Sequence, residues 1–433
     1  MKLETLGHAC TLLTDDDGQP FLLTDPWLVG STYWRSWWLQ NYPTQEKIAA
    51  LSAVKFAYIT HEHPDHFHPP SLRKLGKKPL FLSPDLPENR MLIYLQEHEF
   101  TAESLTSLQW RELSPAVRIL SISLWNDDSV LLVDTPEALV FNLNDSKPSM
   151  RHLRHLRRFA DDFLPEGKTR VVLSSYSPAS IVNSFMRNAQ RINMKNKIDY
   201  VRHINRICDV LAATYFMPFA SQAVFLRSDS KWANDFKVSF EDLRDGWATQ
   251  TTLLHPYTTL DLGSGDETYV RPEDYNEDWR SQLDKVTAQE HRDDVLEITD
   301  ADIERLEKKM RVIRWMAAIL FPRGVGFRIR ELELHFSPWT GRVTRGGGAG
   351  SFTLNVPAQA LKDVLQYGYF GDLGTTMFTI VNLNSRTRPV FVYLFIMVLT
   401  LHDRNHIAGV NKFARWAMSV FHNRSWNIPS HSG

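Results

Sequence analysis

Thr60-His61-Glu62-His63-Pro64-Asp65-His66 is the stretch on which the reading of this chain turns. It directly follows Val54-Lys55-Phe56-Ala57-Tyr58-Ile59, an apolar run that predicts a buried strand. It precedes Pro69-Pro70-Ser71-Leu72, where proline in the first turn predicts a helix start. Four candidate metal ligands, His61, His63, Asp65 and His66, therefore crowd into one short loop between a strand and a helix. Imidazole nitrogens and carboxylate oxygens suit zinc, iron or manganese. In an extended turn His61 and His63 point together at one position. Asp65 and His66 open the next turn and point at a second, about 3.5–4 Å away as in two-metal sites. The competing reading, a polar surface loop, fits poorly with a place at the end of a buried strand.

Outward from the loop, the chain continues in the same style. Residues 2–13 and 20–25 read as two strands joined by the turn Asp15-Asp16-Asp17-Gly18. Further strands are predicted over 79–82, 117–124, 129–134, 138–143 and 171–173. Helical stretches are predicted over 151–158, which is basic, and over 181–213. Hairpins, then a strand–loop–helix, then more strands predict an α/β fold of the αββα sandwich type. Near residue 245 the pattern changes. Residues 1–245 are expected to form the metal-binding catalytic domain, and 246–433 an additional C-terminal α+β region of unknown role. In that region 257–300 reads as an acidic connection and 300–321 as an amphipathic helix. The strands 332–336 and 351–356 flank a glycine-rich stretch, 341–350, that lacks the Gly-Lys-Ser/Thr ending of a phosphate loop. A helix is expected over 358–366. The apolar run 390–401 is too short to span a bilayer and reads as a buried strand or helix.

Composition narrows the function classes. The chain has 433 residues, a formal net charge of −1 and a pI near 7.0, so nothing draws it as a whole to nucleic acid. Only two cysteines are present, Cys10 and Cys208. They form no disulfide framework, cannot hold a four-cysteine iron–sulfur cluster and lack the paired Cys/His motifs of a Rieske centre. Electrons for any redox chemistry must come from elsewhere. Met1-Lys2-Leu3-Glu4 lacks the basic start and apolar core of a signal peptide, and a cytoplasmic location is expected.

His-x-His-x-Asp-His after a strand resembles the signature of the metallo-β-lactamase-fold superfamily. Gly7-His8-Ala9, Asp25-Pro26-Trp27-Leu28, the pair Trp37-Trp38, Tyr58-Ile59-Thr60-His61, 142–145 and Pro218-Phe219-Ala220 resemble one branch, the metallo-β-lactamase portion of CMP-N-acetylneuraminate hydroxylases. The resemblance covers roughly residues 5–235. It implies that His61 and His63 bind one metal, that Asp65 and His66 bind a second, and that Asp65 also handles the reacting oxygen. Asp145, at the end of an apolar strand, is the candidate bridging carboxylate; the alternative is a turn aspartate capping the next segment. The sequence departs from the pattern in two ways. The family's third histidine for the first metal is missing, its place taken by Ser123-Leu124-Trp125-Asn126-Asp127-Asp128, where Asp127 or Asp128 are substitutes. The late histidine is also not evident, with His255 and His203 as weak candidates. The second departure is the lack of a Rieske domain.

Other residues carry two readings each. His8 and Asp25 are candidate ligands or groups orienting ligands, and His8 reads equally as a core histidine. Trp37 and Trp38 stack on substrate or simply pack. His68 reads as an exposed helix-start residue, and the arginines of 151–158 as phosphate-binding or solvated. The resemblance and the shortage of ligands favour a non-haem iron monooxygenase holding one or two divalent ions. It would act on a small-molecule substrate with electrons from a separate reductase or Rieske-type donor. Hydrolysis of an ester, amide or phosphodiester bond by two zinc or manganese ions is the alternative. A non-catalytic binding protein is the third reading, against which the intact ligand set argues.

Overall fold

The structure is a computed structural model, which describes residues 1–163, 167–178, 184–192, 196–270, 277–347, 350–407 and 409–422. Two sheets face one another. The first is ordered Glu267–Tyr269, Thr258–Asp261, Lys2–Thr5, Thr11–Thr14, Pro20–Thr24, Phe56–Tyr58, Leu80–Pro84, Ala102–Leu105. The second is ordered Trp110–Ser114, Val117–Ser123, Ser129–Asp134, Ala138–Asn142, Thr169–Ser175, Tyr215–Phe219, Thr252–Leu253.

Period-two alternation sorts the side chains of each strand to opposite faces. Leu13, Leu131 and Val133 enter the core between the sheets. Leu12 faces outward to the helices Gln45–Leu51, Pro69–Leu75 and Arg90–Glu97, which supply Ile48, Leu72 and Leu95. Leu132 faces the helices Met150–Phe163 and Lys197–Leu211, which supply Leu156 and Ile204. The result is helices, sheet, sheet, helices: the αββα sandwich.

Each sheet is antiparallel at one end and parallel at the other. In the first the change falls between Thr11–Thr14 and Phe56–Tyr58, on either side of Pro20–Thr24. In the second it falls on either side of Ala138–Asn142. The parallel strands bring their carboxyl ends to one edge of the sandwich, where ligands of α/β sheets bind. Asp25, the histidine loop and Asp145 all emerge there.

The C-terminal region has its own core and a third sheet, ordered Gln190–Arg191, Phe185–Arg187, Ile380–Leu383, Phe352–Asn355, Val325–Ile329, Leu332–Ser337, Arg342–Arg345. Membership crosses residue 245 both ways. Residues 185–191 join the C-terminal sheet, while Thr252–Leu253 and Thr258–Asp261 complete the sandwich sheets. An aromatic cluster containing Trp27, Trp37, Trp38, Phe225, Val286 and Met377 packs the two regions together.

Several local expectations are corrected. The strand read over 2–13 is broken between Thr5 and Thr11, where Leu6 N–H bonds Cys10 O (2.9 Å) and His8 leaves the sheet. The helix read over 181–213 holds only for Lys197–Leu211; Phe185–Arg187 is a strand, and 181–183 and 193–195 lie outside the described residues. The helix over 300–321 is two, Asp300–Arg311 and Arg314–Leu320. Part of the glycine-rich stretch read over 341–350 is itself a strand, Arg342–Arg345, paired with Leu332–Ser337 across a tight turn. Of the two readings offered for 390–401, strand or helix, the helix holds, Pro389–Asp403. No helix among the described residues is long and apolar enough to cross a membrane.

Candidate metal centre

The histidine loop is fixed from behind by hydrogen bonds that leave its outward-facing atoms available. Asp25, in a left-handed conformation (φ 42°) and wholly buried, accepts from Thr60 N–H at 2.7 Å and from the Thr60 hydroxyl at 2.8 Å. The same carboxylate lies 3.0 Å from His66 Nδ1. A carboxylate on Nδ1 fixes that nitrogen as the protonated one, so Nε2 presents a lone pair. His66 Nε2 is buried without a hydrogen-bond partner and lies 3.6 Å from both Asp65 and Asp145. Such an orphaned acceptor between two carboxylates fits a cation.

His61 Nε2 and His63 Nδ1 face each other at 2.8 Å. Burial, aided by neighbouring positive charge, pushes His61 well below the usual imidazole range and His63 down to about 4. Both rings are therefore neutral at pH 7, the form that ligates metals. His66 shows the reverse. Burial opposes its charge, but Asp25, Asp65 and Asp145 outweigh it and raise its pKa well above the usual value. Without a metal ion the acidic cluster therefore favours a second proton, on Nε2, and a bound cation would take that proton's place.

Asp65 is held by two donors. His8 Nε2 lies 3.0 Å from one oxygen, and the Tyr33 hydroxyl donates to the other at 2.9 Å. Burial pushes the Asp65 carboxyl up, yet His66 and His8 hold it well below the carboxylate range. His8 reaches it because the break in the first strand turns it out of the sheet. Two clusters result in which ligand atoms converge: His8, Asp65 and His66, and His61, His66 and Asp145. The donor set fits one ion or an adjacent pair, and His66 belongs to both clusters.

The structure separates the remaining candidates. Asp128 lies on the Nδ1 side of His61 (3.5 Å), opposite the nitrogen that meets His63, so it backs the ring instead of joining its ligands. Asp127 is turned away: its carboxylate pairs with His406 at 2.6 Å, which corrects its assignment as a possible ligand. His255 is likewise a correction, since its ring packs between Phe240 and Tyr269 and its Nδ1 lies 2.8 Å from Pro256 O. Trp38 is buried with its N–H on Arg35 O and does not line the cleft. Trp37 does line it, held by an N–H bond to Thr375 O at 3.0 Å. His68 is buried beside Ser71, not exposed.

The cleft over this centre has a volume of about 500 Å³. His63, Asp65 and Asp145 form its floor. One wall carries Lys147, Ser149 and His152, so the basic helix contributes its first turn, not its arginines. The opposite wall comes from the C-terminal region: Asp372, Thr375, Tyr393, Ile396, Met397 and Arg404. Sequence reasoning missed the bond of Tyr33 to Asp65, and missed Asp372 and Arg404 altogether. For Tyr33 a signal existed in its place beside Trp37-Trp38; for the other two none did.

No protein-family model matches the chain. It is 28% identical over 251 residues to a putative Rieske 2Fe-2S iron-sulfur protein of Mycolicibacterium smegmatis, covering 54% of this chain and 46% of that protein. It is 36% identical over 87 residues to the cytidine monophosphate-N-acetylneuraminic acid hydroxylase of Danio rerio, covering 20% of this chain and 14% of that protein. The chain thus spans less than half the length of these relatives. Among solved structures it is similar to an isothiocyanate hydrolase from Delia radicum gut bacteria, at 15% identity and a TM-score of 0.41, covering 60% of this chain and 99% of that one. With its αββα layers and the His-x-His-x-Asp-His loop at the carboxyl end of a central strand, the chain is a protein of the metallo-β-lactamase fold.

Proposed function

We propose that this chain is the metal-binding oxygenase component of a system whose electrons come from a separate Rieske-type protein. The observation that carries the reading is the make-up of the two ligand clusters, each of two imidazoles and one carboxylate. Two histidines and a carboxylate with positions left open suit non-haem iron, which supplies one-electron chemistry with dioxygen when bound. The likeness to proteins named for a Rieske cluster and for a hydroxylase supports the same reading. Cys10 and Cys208, each buried in a different layer of the sandwich, cannot hold such a cluster in this chain.

The chain's own residues have definable tasks. Asp25 and Thr60 orient His66, Tyr33 orients Asp65, and His8 is the second imidazole of the cluster with Asp65 and His66. Asp65, kept ionised, is the group placed to accept a proton at the floor of the cleft. Tyr393, Ile396 and Met397 exclude water from one side, while Lys147 and His152 offer donors to a polar or anionic substrate group on the other. A second reading is hydrolysis by two zinc or manganese ions, favoured by the adjacency of the two clusters.

The test is dioxygen uptake by the iron-loaded chain given a ferredoxin and its reductase. Uptake dependent on both iron and donor supports the oxygenase. No uptake, with zinc-dependent cleavage of an ester or phosphodiester, would transfer the site to the second reading.

A further inference from the structure

The C-terminal region carries no recognised motif, yet one of its side chains reaches the centre of the histidine loop. Helix Pro389–Asp403 is anchored at its end within its own region: Asp403 pairs with Lys309 and accepts from Phe370 N–H at 3.0 Å. The next residue, Arg404, turns the other way. Its Nε lies 2.9 Å from the carboxylate of Glu62, the residue between His61 and His63. Its Nη1 donates to the backbone carbonyl of Asn126 at 2.5 Å. Asn126 is two residues before Asp128, which backs the ring of His61.

Arg404 therefore ties together the two loops that set the orientation of His61. Glu62 is gripped from its other side by Arg90, whose Nε and Nη2 donate at 2.9 and 2.7 Å. His406 holds Asp127, beside the Asn126 carbonyl, at 2.6 Å. Charge-assisted bonds of this kind, made by a side chain that is almost buried, fix geometry more firmly than exposed pairs do.

We infer that Arg404 is a positioning residue for the first metal position, through which the C-terminal region completes the centre it walls. The inference rests on the proposed metal-binding role and specifies what holds the ligands in place. Groups that orient metal ligands typically change metal affinity by about 10- to 100-fold when removed.

The test is the dissociation constant for Fe²⁺ under anaerobic conditions, and for Zn²⁺ in chelator-buffered solution, in the full chain carrying Arg404→Ala, Arg404→Lys, Glu62→Gln or the pair Arg404→Ala with Glu62→Gln. Arg404→Ala is expected to weaken the tighter site about 10- to 100-fold. Arg404→Lys, which keeps the charge but cannot serve Glu62 and Asn126 with the same fork, should fall between it and the wild type. The double variant should lose less than the sum of its parts, because both changes break one interaction. Should Arg404→Ala not fold, Arg404→Lys decides: affinity equal to wild type overturns the inference. A wild-type chain that binds metal while every variant binds equally well overturns it alone. A wild-type chain that binds neither ion overturns the metal-binding role and the inference with it.

Discussion

The sandwich and the C-terminal region meet at one cleft but encode their parts differently. The sandwich presents His61, His63, Asp65 and His66 from a single loop, after Phe56–Tyr58, the strand that is parallel to both its neighbours. The C-terminal region presents Asp372, Tyr393, Met397 and Arg404 from a short 3-10 turn, one face of a helix and the residue after it. Metal ligation needs atoms within a few ångströms of one another, which a loop can supply by itself. Walls and clamps need only a surface that happens to face the loop, which any packed element can provide. One loop supplies His61, Asp65 and His66 to the clusters, His8 and Asp145 join them from elsewhere in the sandwich, and the enclosing groups come from farther still.

The largest expected effect is on the local side of the comparison. His63→Ala with Asp65→Ala should reduce turnover to the background rate and remove bound metal, while circular dichroism stays unchanged. Retained metal would assign binding to His61, His66 and Asp145 without His63 and Asp65.

The next prediction asks whether the regions are thermally separate. Gly324 (φ 83°) in the C-terminal region has no room for a Cβ, which would meet Phe336 O at 2.3 Å. Gly324→Ala should cost about 1–3 kcal/mol. Because the aromatic cluster packs the regions together, unfolding should remain one transition at a lower temperature. Two separated calorimetric transitions would instead make the C-terminal region an independent appendage.

Tyr33→Phe removes one of the two hydrogen bonds that hold Asp65. A bond to a charged group contributes about 1.5–3 kcal/mol, so kcat should drop at least about 10-fold with little change in KM. A change in KM alone would assign Tyr33 to substrate binding.

Asp372 probes the far wall through pH. Burial and the charge of Glu62 raise its carboxyl from 3.8 to about 7. The folded state thus favours the neutral acid, and stability is lost as pH rises from about 4 to about 7. Asp372→Asn should raise Tm by about 2–4 °C at pH 8 and leave it unchanged near pH 4. An equal gain at both pH values would refute the buried-acid assignment. At the small end, His255→Ala should leave metal content and turnover at wild-type values, as its packing against Phe240 and Tyr269 implies.

Much of the sandwich was legible because its strands obey simple alternation and three of its cluster residues, His61, Asp65 and His66, lie on one loop. The hairpin turn at Asp15–Gly18, the strand before His61 and the helix at Pro69 all follow local rules. The break that frees His8 was not legible, since 2–13 is continuously strand-like and its interruption is imposed by partners such as Ala220, whose N–H bonds His8 O. The helix expected over 181–213 failed at its first half for a related reason: Phe185–Arg187 is held as a strand by Ile380–Leu383, nearly two hundred residues on. Asp127 and Asp128 are equivalent in sequence. Only His406, 279 residues after Asp127, shows which of them turns away.

The central claim is that the histidine loop, closed by the C-terminal wall, is an iron centre. Elemental analysis of protein purified without chelators or an affinity metal tests it most directly. About one or two irons per chain are expected, lost when His66, which both clusters share, is replaced by alanine. A chain that holds no metal, and takes up none when iron, zinc or manganese is added, would contradict it.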